Sequence, residues 1–331
     1  MIVDGVQAVV GLGLLVVASD RMVRSTIRVS NALGVSAILI GAVIVGFGTS
    51  VPEFLVSGLA SLEGNLDLAM SNVTSSNAAN VTLVLGVAAV ISPVAARRGV
   101  IRREGALMIV AVVALAAVLA GGHPRLWQGV VLFAGLVGAT TLMTRWARED
   151  PEFVLAELEE LAELPDGDGN EEAVERLVEG RLRRLRSEVG RELLIGLVAL
   201  VITLVAADQL LDGAVGLGTH IGLSATFIGL MTGVGTSLPE LAAAVAASRH
   251  GEGDLVLGNV LGSNIFNSLG VAGLAIALRP AVLVAMTPGV VALMVAAVFA
   301  AGFFAFSGQR VVRLEGAVLL AGFVAYSVVL Y

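Results

Sequence analysis

One stretch of this chain occurs twice. Residues 48–86 align without a gap on residues 235–273, at a constant offset of 187, and 17 of the 39 positions are identical. The shared residues are mostly polar: Thr49 with Thr236, Ser50 with Ser237, Glu53 with Glu240, Asp67 with Asp254, Asn72 with Asn259, Ser76 with Ser263, Asn77 with Asn264 and Asn80 with Asn267. Composition cannot produce this, because the chain is 57% apolar and 14% charged, with mean hydropathy +0.93. A soluble domain carries roughly 25% charged residues. Ten apolar runs, at about 3–20, 35–62, 68–92, 104–121, 126–146, 191–211, 222–248, 255–278, 283–306 and 312–331, are each near the length a bilayer requires. Five fall in each half. An odd number of spans makes the second half enter the membrane from the opposite face, so the two repeats are inverted. The expected fold is an all-α polytopic membrane protein of ten transmembrane helices in two inverted five-helix repeats. Residues 1–146 form the first repeat, with its motif over 46–86, and residues 191–331 form the second, with its motif over 233–273.

Arginines orient the spans. Arg21, Arg24 and Arg28, then Arg97, Arg98, Arg102 and Arg103, then Arg145, Arg148 and the cluster from Arg181 to Arg191, then Arg310 and Arg313, all fall in loops of one side. That side is expected to be cytoplasmic in a multi-pass protein of the cell membrane, with both termini outside. The first apolar run reads as a permanent span rather than a cleaved leader. Residues 147–190 read as a cytoplasmic acidic loop with two amphipathic helices that turn at Pro165 and Gly167. Its Asp166, Asp168 and Asn170 open like a calcium loop, but Glu171 and Leu177 stand where glycine and glutamate would be needed, so a solvated turn is the reading there. There is no cysteine, which excludes disulfides and thiolate chemistry.

The repeated motif places charge inside apolar helices. "GFGTSVPEFL" begins at Gly46 and "GVGTSLPELA" at Gly233. Thr49 and Glu53 are four apart, as are Ser76 and Asn80, and so share a helix face; Thr236 with Glu240 and Ser263 with Asn267 repeat the pattern. Pro52 clashes with the carbonyl of Gly48, so carbonyls near Gly46 and Gly233 are freed toward a cavity. Two carboxylates, two carboxamides, hydroxyls and carbonyls make an all-oxygen set suited to hard cations such as Ca2+ and Na+, not to zinc or copper. Two glutamates balance one Ca2+ or two to three Na+, and mutually exclusive occupancy is the minimum chemistry of an antiporter. Asn72 and Asn259 read as structural, Asp67 and Asp254 as helix caps, and Asp20 and Asp208 as interfacial. A cation channel lined by the same oxygens is the competing non-enzymatic reading. An intramembrane hydrolase lacks a nucleophile–base pair, so no enzyme is expected.

At these residues the sequence resembles the cation/Ca2+ exchanger superfamily, most closely its Na+/Ca2+ exchanger branch. The family motif G-T-S-x-P-E followed by G-N-x-x-G-S-N-x-x-N or D stands here as "GTSVPE" with "SNVTSSNAAN", and as "GTSLPE" with "GNVLGSNIFN". The resemblance covers essentially the whole chain. It implies antiport of Ca2+ against Na+ by alternating access at a midplane site, with H+/Ca2+ antiport as the alternative. It implies Glu53 and Glu240 as central ligands, joined by Asn80, Asn267, Ser76 and Ser263. Thr49, Ser50, Thr236 and Ser237 would give hydroxyl or carbonyl oxygens, and Gly46 and Gly233 backbone oxygens. The first and sixth spans resemble the family's gating pair. Ser71 and Ser75 depart from the family's glycines, and Asn267 stands where some prokaryotic members carry aspartate, which leans toward Na+ coupling. The expected partners are the ions and the lipid bilayer, with no cofactor, nucleic acid or obligate protein partner.

Overall fold

The structure is a computed structural model that describes residues 1–33, 35–95, 98–148, 171–223, 228, 231, 234–280, 284 and 288–330. Gly233 and the Asp166, Asp168 and Asn170 turn lie outside the described residues. The chain runs through helices α1 (Ile2–Leu33), α2 (Ala37–Thr49), α3 (Val51–Leu62), α4 (Leu66–Ile91), α5 (Arg98–Ala120) and α6 (Leu126–Arg148). It continues through α7 (Glu171–His220), α8 (Leu238–Arg249), α9 (Gly253–Leu278), α10 (Pro288–Gly308) and α11 (Arg313–Leu330). Two short strands, β1 (Val94–Ala95) and β2 (Arg310–Val311), pair antiparallel and tie the end of α4 to the α10–α11 connection. Among the described residues seven helices are long and apolar enough to cross a membrane, or eight if α2 and α3, bent by 42° at their junction, count as one broken span.

Several expected boundaries move. The first span, expected over 3–20, continues to Leu33, so Arg21, Arg24 and Arg28 lie on the helix rather than after it. Ion pairing carries it onward: Arg24 Nε bonds Asp20 Oδ2 one turn back at 2.8 Å, and Arg28 Nη1 reaches Glu192 Oε1 on α7 at 2.9 Å. The sixth span, expected over 191–211, belongs to a single helix from Glu171 to His220, so the end of the expected 147–190 loop is continuous with it. The start of α4 is capped by Asn65, whose Oδ1 accepts from Leu68 N at 3.0 Å, while Asp67 sits inside the first turn. Glu252, not Asp254, holds the corresponding cap position of α9.

The most polar spans are the most enclosed. In α4 and α9, 78% and 89% of the most apolar stretch is buried, against 39% or less in the other long helices. Removing these two helices from lipid is what lets them carry asparagine and serine. Close packing on glycine makes that possible. On α9, a Cβ at Gly258 or Gly262 would lie 2.4 Å from the Ile38 carbonyl or 2.3 Å from that of Ala42, both on α2. Gly86 of α4 meets Gly316 of α11, and Gly273 of α9 meets Gly129 of α6, backbone against backbone. Those two contacts are related by the same offset of 187, because 273 is 86 plus 187 and 316 is 129 plus 187. Each half therefore packs its central helix against the last helix of the other half.

Helices α1 and α7 pack mainly on each other. Gly11 lies against the Leu210 amide and Gly213 against that of Ala8, and buried Glu192 takes hydrogen bonds from Arg28 and from Ser25 Oγ at 3.0 Å. The α2–α9 contact is the one that a single methyl group would disrupt most. We predict that Gly262→Ala, whose Cβ has no room, costs about 1–3 kcal/mol and lowers the melting temperature of the detergent-solubilised protein. Gly13→Ala, with nothing within 4 Å, is the matched control and should leave it unchanged.

Candidate functional site

The site forms where both halves interrupt their helices. Ser50 (φ −82°, ψ 4°) and Ser237 (φ −90°, ψ 5°) break the helix at equivalent positions, and Pro52 and Pro239 follow in the first turn of α3 and α8. Proline suits that turn because its missing N–H would have no partner there anyway. Glu53 and Glu240 then stand in the first turns of α3 and α8, where the helix dipole favours negative charge. The expected distortion at Gly48 falls two residues later, at Ser50. The Gly46 carbonyl is engaged there by Ser50 N at 3.2 Å and Ser263 Oγ at 3.3 Å.

A second irregularity marks the opposing helices. α4 contains a π turn over Asn80–Val84 and α9 one over Phe266–Val271, again at equivalent places. α2 has another over Gly41–Val45, just ahead of Gly46. Such turns widen the ladder by one residue and cluster at functional sites.

Together these breaks gather the predicted residues. Glu53 is fully buried and Glu240 is 1% exposed. Ser76 Oγ donates to Glu53 Oε1 at 3.3 Å, and Thr236 from the other half lies against the same carboxylate. Ser50 Oγ donates to Glu240 Oε1 at 3.3 Å, across a sequence separation of 190, with Thr49 beside it. The two carboxylates are close enough to repel one another, and no cationic side chain among the described residues offsets them. Several buried polar atoms have no hydrogen-bond partner among the described residues: the second oxygens of Glu53 and Glu240, both amide atoms of Asn80 and of Asn267, and Ser237 Oγ. Eleven of the twelve predicted residues are thus described, and nearly all are buried between α2, α3, α4, α8 and α9.

The halves share their chemistry but not all of their contacts. Ser76 bonds Glu53, whereas its counterpart Ser263 bonds the Gly46 carbonyl; Ser50 bonds Glu240, whereas Ser237 Oγ has no partner among the described residues. Asn77 was not singled out as a site residue by the sequence, yet its Nδ2 donates to Ser268 Oγ at 2.9 Å and so links α4 to α9 beside Asn267. Its recurrence as Asn264 in the repeat was the available signal. Asp20 bonds His250 Nε2 at 2.7 Å and Arg24 Nε at 2.8 Å rather than joining the carboxylate pair.

Only oxygen donors and two negative charges surround the centre, and among the described residues no group of three or more His, Cys, Asp or Glu could hold a metal. Such a set suits a hard cation that arrives and leaves more than a resident transition metal. Unpaired buried polar groups cost about 1–3 kcal/mol each, so the donors are held at the expense of stability. In buffer free of Na+ and divalent cations, Asn80→Leu and Asn267→Leu should melt at the wild-type temperature or a few degrees above it; a clear drop would show that these amides stabilise the fold.

Comparison with known proteins gives concordant results. A family model described as sodium/calcium exchanger protein matches residues 5–145 and 192–331. The inner membrane protein YrbG of Escherichia coli is 35% identical over 275 residues, covering 82% of this chain and 79% of that protein. The sodium/calcium exchanger MaX1 of Methanosarcina acetivorans is 30% identical over 342 residues, covering 97% and 96%. A solved structure of the sodium–calcium exchanger NCX_Mj, soaked with zero Na+ and Ca2+, superposes with a TM-score of 0.80 at 25% identity, covering 100% of this chain and 99% of that one.

Proposed function

The chain belongs to the sodium/calcium exchanger family, a family of transporters rather than enzymes, and from that premise we propose that it is a secondary active antiporter that exchanges Ca2+ for Na+. The observation that carries this reading is the pair of buried carboxylates, Glu53 and Glu240, at equivalent places in the two halves with partnerless oxygens beside them.

In this reading one Ca2+ between Glu53 and Glu240 cancels both charges, with oxygens of Thr49, Ser50, Ser76, Asn80, Thr236, Ser237, Ser263 and Asn267 and the carbonyls of Gly46 and Gly233 completing the shell. Na+ ions at the same carboxylates cancel the same charge. Both cargoes cannot be held at once, because the site has two negative charges to share. That competition couples the fluxes. The empty, doubly charged site is the costly state, and it disfavours a return stroke without cargo. The ten-span inverted arrangement, with both termini outside, would let the α1–α7 pair expose the site to each side in turn. Packing of α1 and α7 mainly on one another supports their moving as a unit.

Protons are the other cation that two neighbouring buried carboxylates can accept, so H+/Ca2+ antiport is the second reading. Proteoliposomes separate the two. Ca2+ uptake should follow an imposed Na+ gradient; uptake driven by a pH gradient and not by Na+ would replace Na+ with H+. Glu53→Gln and Glu240→Gln should each lower transport by at least a hundredfold with unchanged melting temperature, and wild-type rates in either would remove that carboxylate from the ligand set.

A further inference from the structure

Two asparagines of the repeated motif, Asn72 on α4 and Asn259 on α9, stand behind the candidate ligands. Both are buried, at 9% and 2% exposure. Each contacts a threonine of the opposite half: Thr236 Oγ1 lies 3.4 Å from Asn72 Oδ1, and Thr49 Oγ1 lies 3.4 Å from Asn259 Oδ1. The offset of 187 maps one contact onto the other.

The amide orientations follow from their other partners. Ser57 Oγ gives its proton to the Ala69 carbonyl at 3.3 Å, so it can only accept from Asn72, and Asn72 Nδ2 lies 3.0 Å from it. The nitrogen of Asn72 must face Ser57, and its oxygen must face Thr236. Asn259 Nδ2 lies 3.4 Å from the backbone carbonyl of Glu240, which can only accept, so Asn259 turns its oxygen to Thr49. A hydroxyl has one proton. The neighbouring carboxylate, Glu53 for Thr236 and Glu240 for Thr49, competes for that proton; when the carboxamide oxygen takes it instead, the lone pairs of the threonine oxygen are left for a cation between the carboxylates. Thr49 Oγ1 also lies 3.0 Å from the Val45 carbonyl, which, like the carboxamide, can only accept, so its proton leaves the site by either route.

We propose that Asn72 and Asn259 are positioning residues: each takes the hydroxyl proton of the other half's threonine, so that Thr236 and Thr49 present oxygen rather than hydrogen to the cation. The two halves thereby complete each other's coordination shell. The proposal rests on the exchange reading, because it assumes that the threonine oxygens face an ion.

The test is a double-mutant cycle on the purified, detergent-solubilised full chain, with Ca2+ affinity read by calorimetry and folding by melting temperature. Asn72→Ala should weaken Ca2+ binding about tenfold, as loss of an outer-shell partner does. In a Thr236→Val background the same change should add nothing, because no hydroxyl is left to orient. In a Thr49→Val background it should keep its full effect; Asn259→Ala, for which the Val45 carbonyl can stand in, should give a smaller loss that vanishes with Thr49→Val and persists with Thr236→Val. A purely structural asparagine would weaken binding equally in all three backgrounds. Should Asn72→Ala fail to fold, Ser57→Ala removes only the group that sets the amide's direction and should give a smaller loss that again vanishes with Thr236→Val. Undiminished losses in the matching threonine background, or wild-type affinity in the asparagine and Ser57 variants, overturn the proposal. Wild-type protein that binds neither Ca2+ nor Na+ overturns the exchange reading beneath it instead.

Discussion

A charged side chain inside a membrane span costs about 2.5–3.5 kcal/mol on insertion scales, and this chain buries two carboxyl groups close together with no basic side chain among the described residues beside either. Whatever surrounds Glu53 and Glu240 must therefore supply polarity without positive charge. Hydroxyls and carboxamides do so, but they too need shelter from lipid. The helices that carry them, α4 and α9, are accordingly the most enclosed, and the long helices with more apolar stretches are the less enclosed ones.

Shelter at this depth requires backbones to approach closely, which places glycine at the crossings. Gly258 and Gly262 admit α2 against α9, and the Gly86–Gly316 and Gly273–Gly129 contacts bring each central helix against the last helix of the other half. The hydrogen bonds cross the same boundary: Ser50 to Glu240, Thr49 to Asn259, Thr236 to Asn72 and Asn77 to Ser268. Neither half holds a complete set of partners by itself. Duplication alone does not make such a site; the two copies interlock, each supplying hydrogen-bond partners to the other.

The halves carry the same donor residues, yet Ser76 and Ser263 bond different acceptors, as do Ser50 and Ser237. Because the chemistry is equal, this asymmetry belongs to the conformation.

Much of this was legible in the residues themselves. Glu53 within an apolar run has no local reason to be there, and its return as Glu240 with the same glycine, threonine, serine and proline neighbours marked the helix breaks and the buried donors without any structure. Polarity inside a membrane span is costly, so it is informative wherever it occurs. Helix lengths were less legible. Hydropathy falls at Arg21 and at Arg191, but α1 and α7 continue past both; along α1 the arginines are paired with Asp20 and the distant Glu192. The cap at Asn65 rather than Asp67, and the π turns at Asn80 and Phe266, depend on local backbone paths that residue types do not specify. Only the tertiary structure decided which oxygen meets which carboxylate. Periodicity assigns a residue to a face of its own helix, whereas a contact such as Ser50 to Glu240, across a separation of 190 residues, depends on how far one helix slides and turns against another.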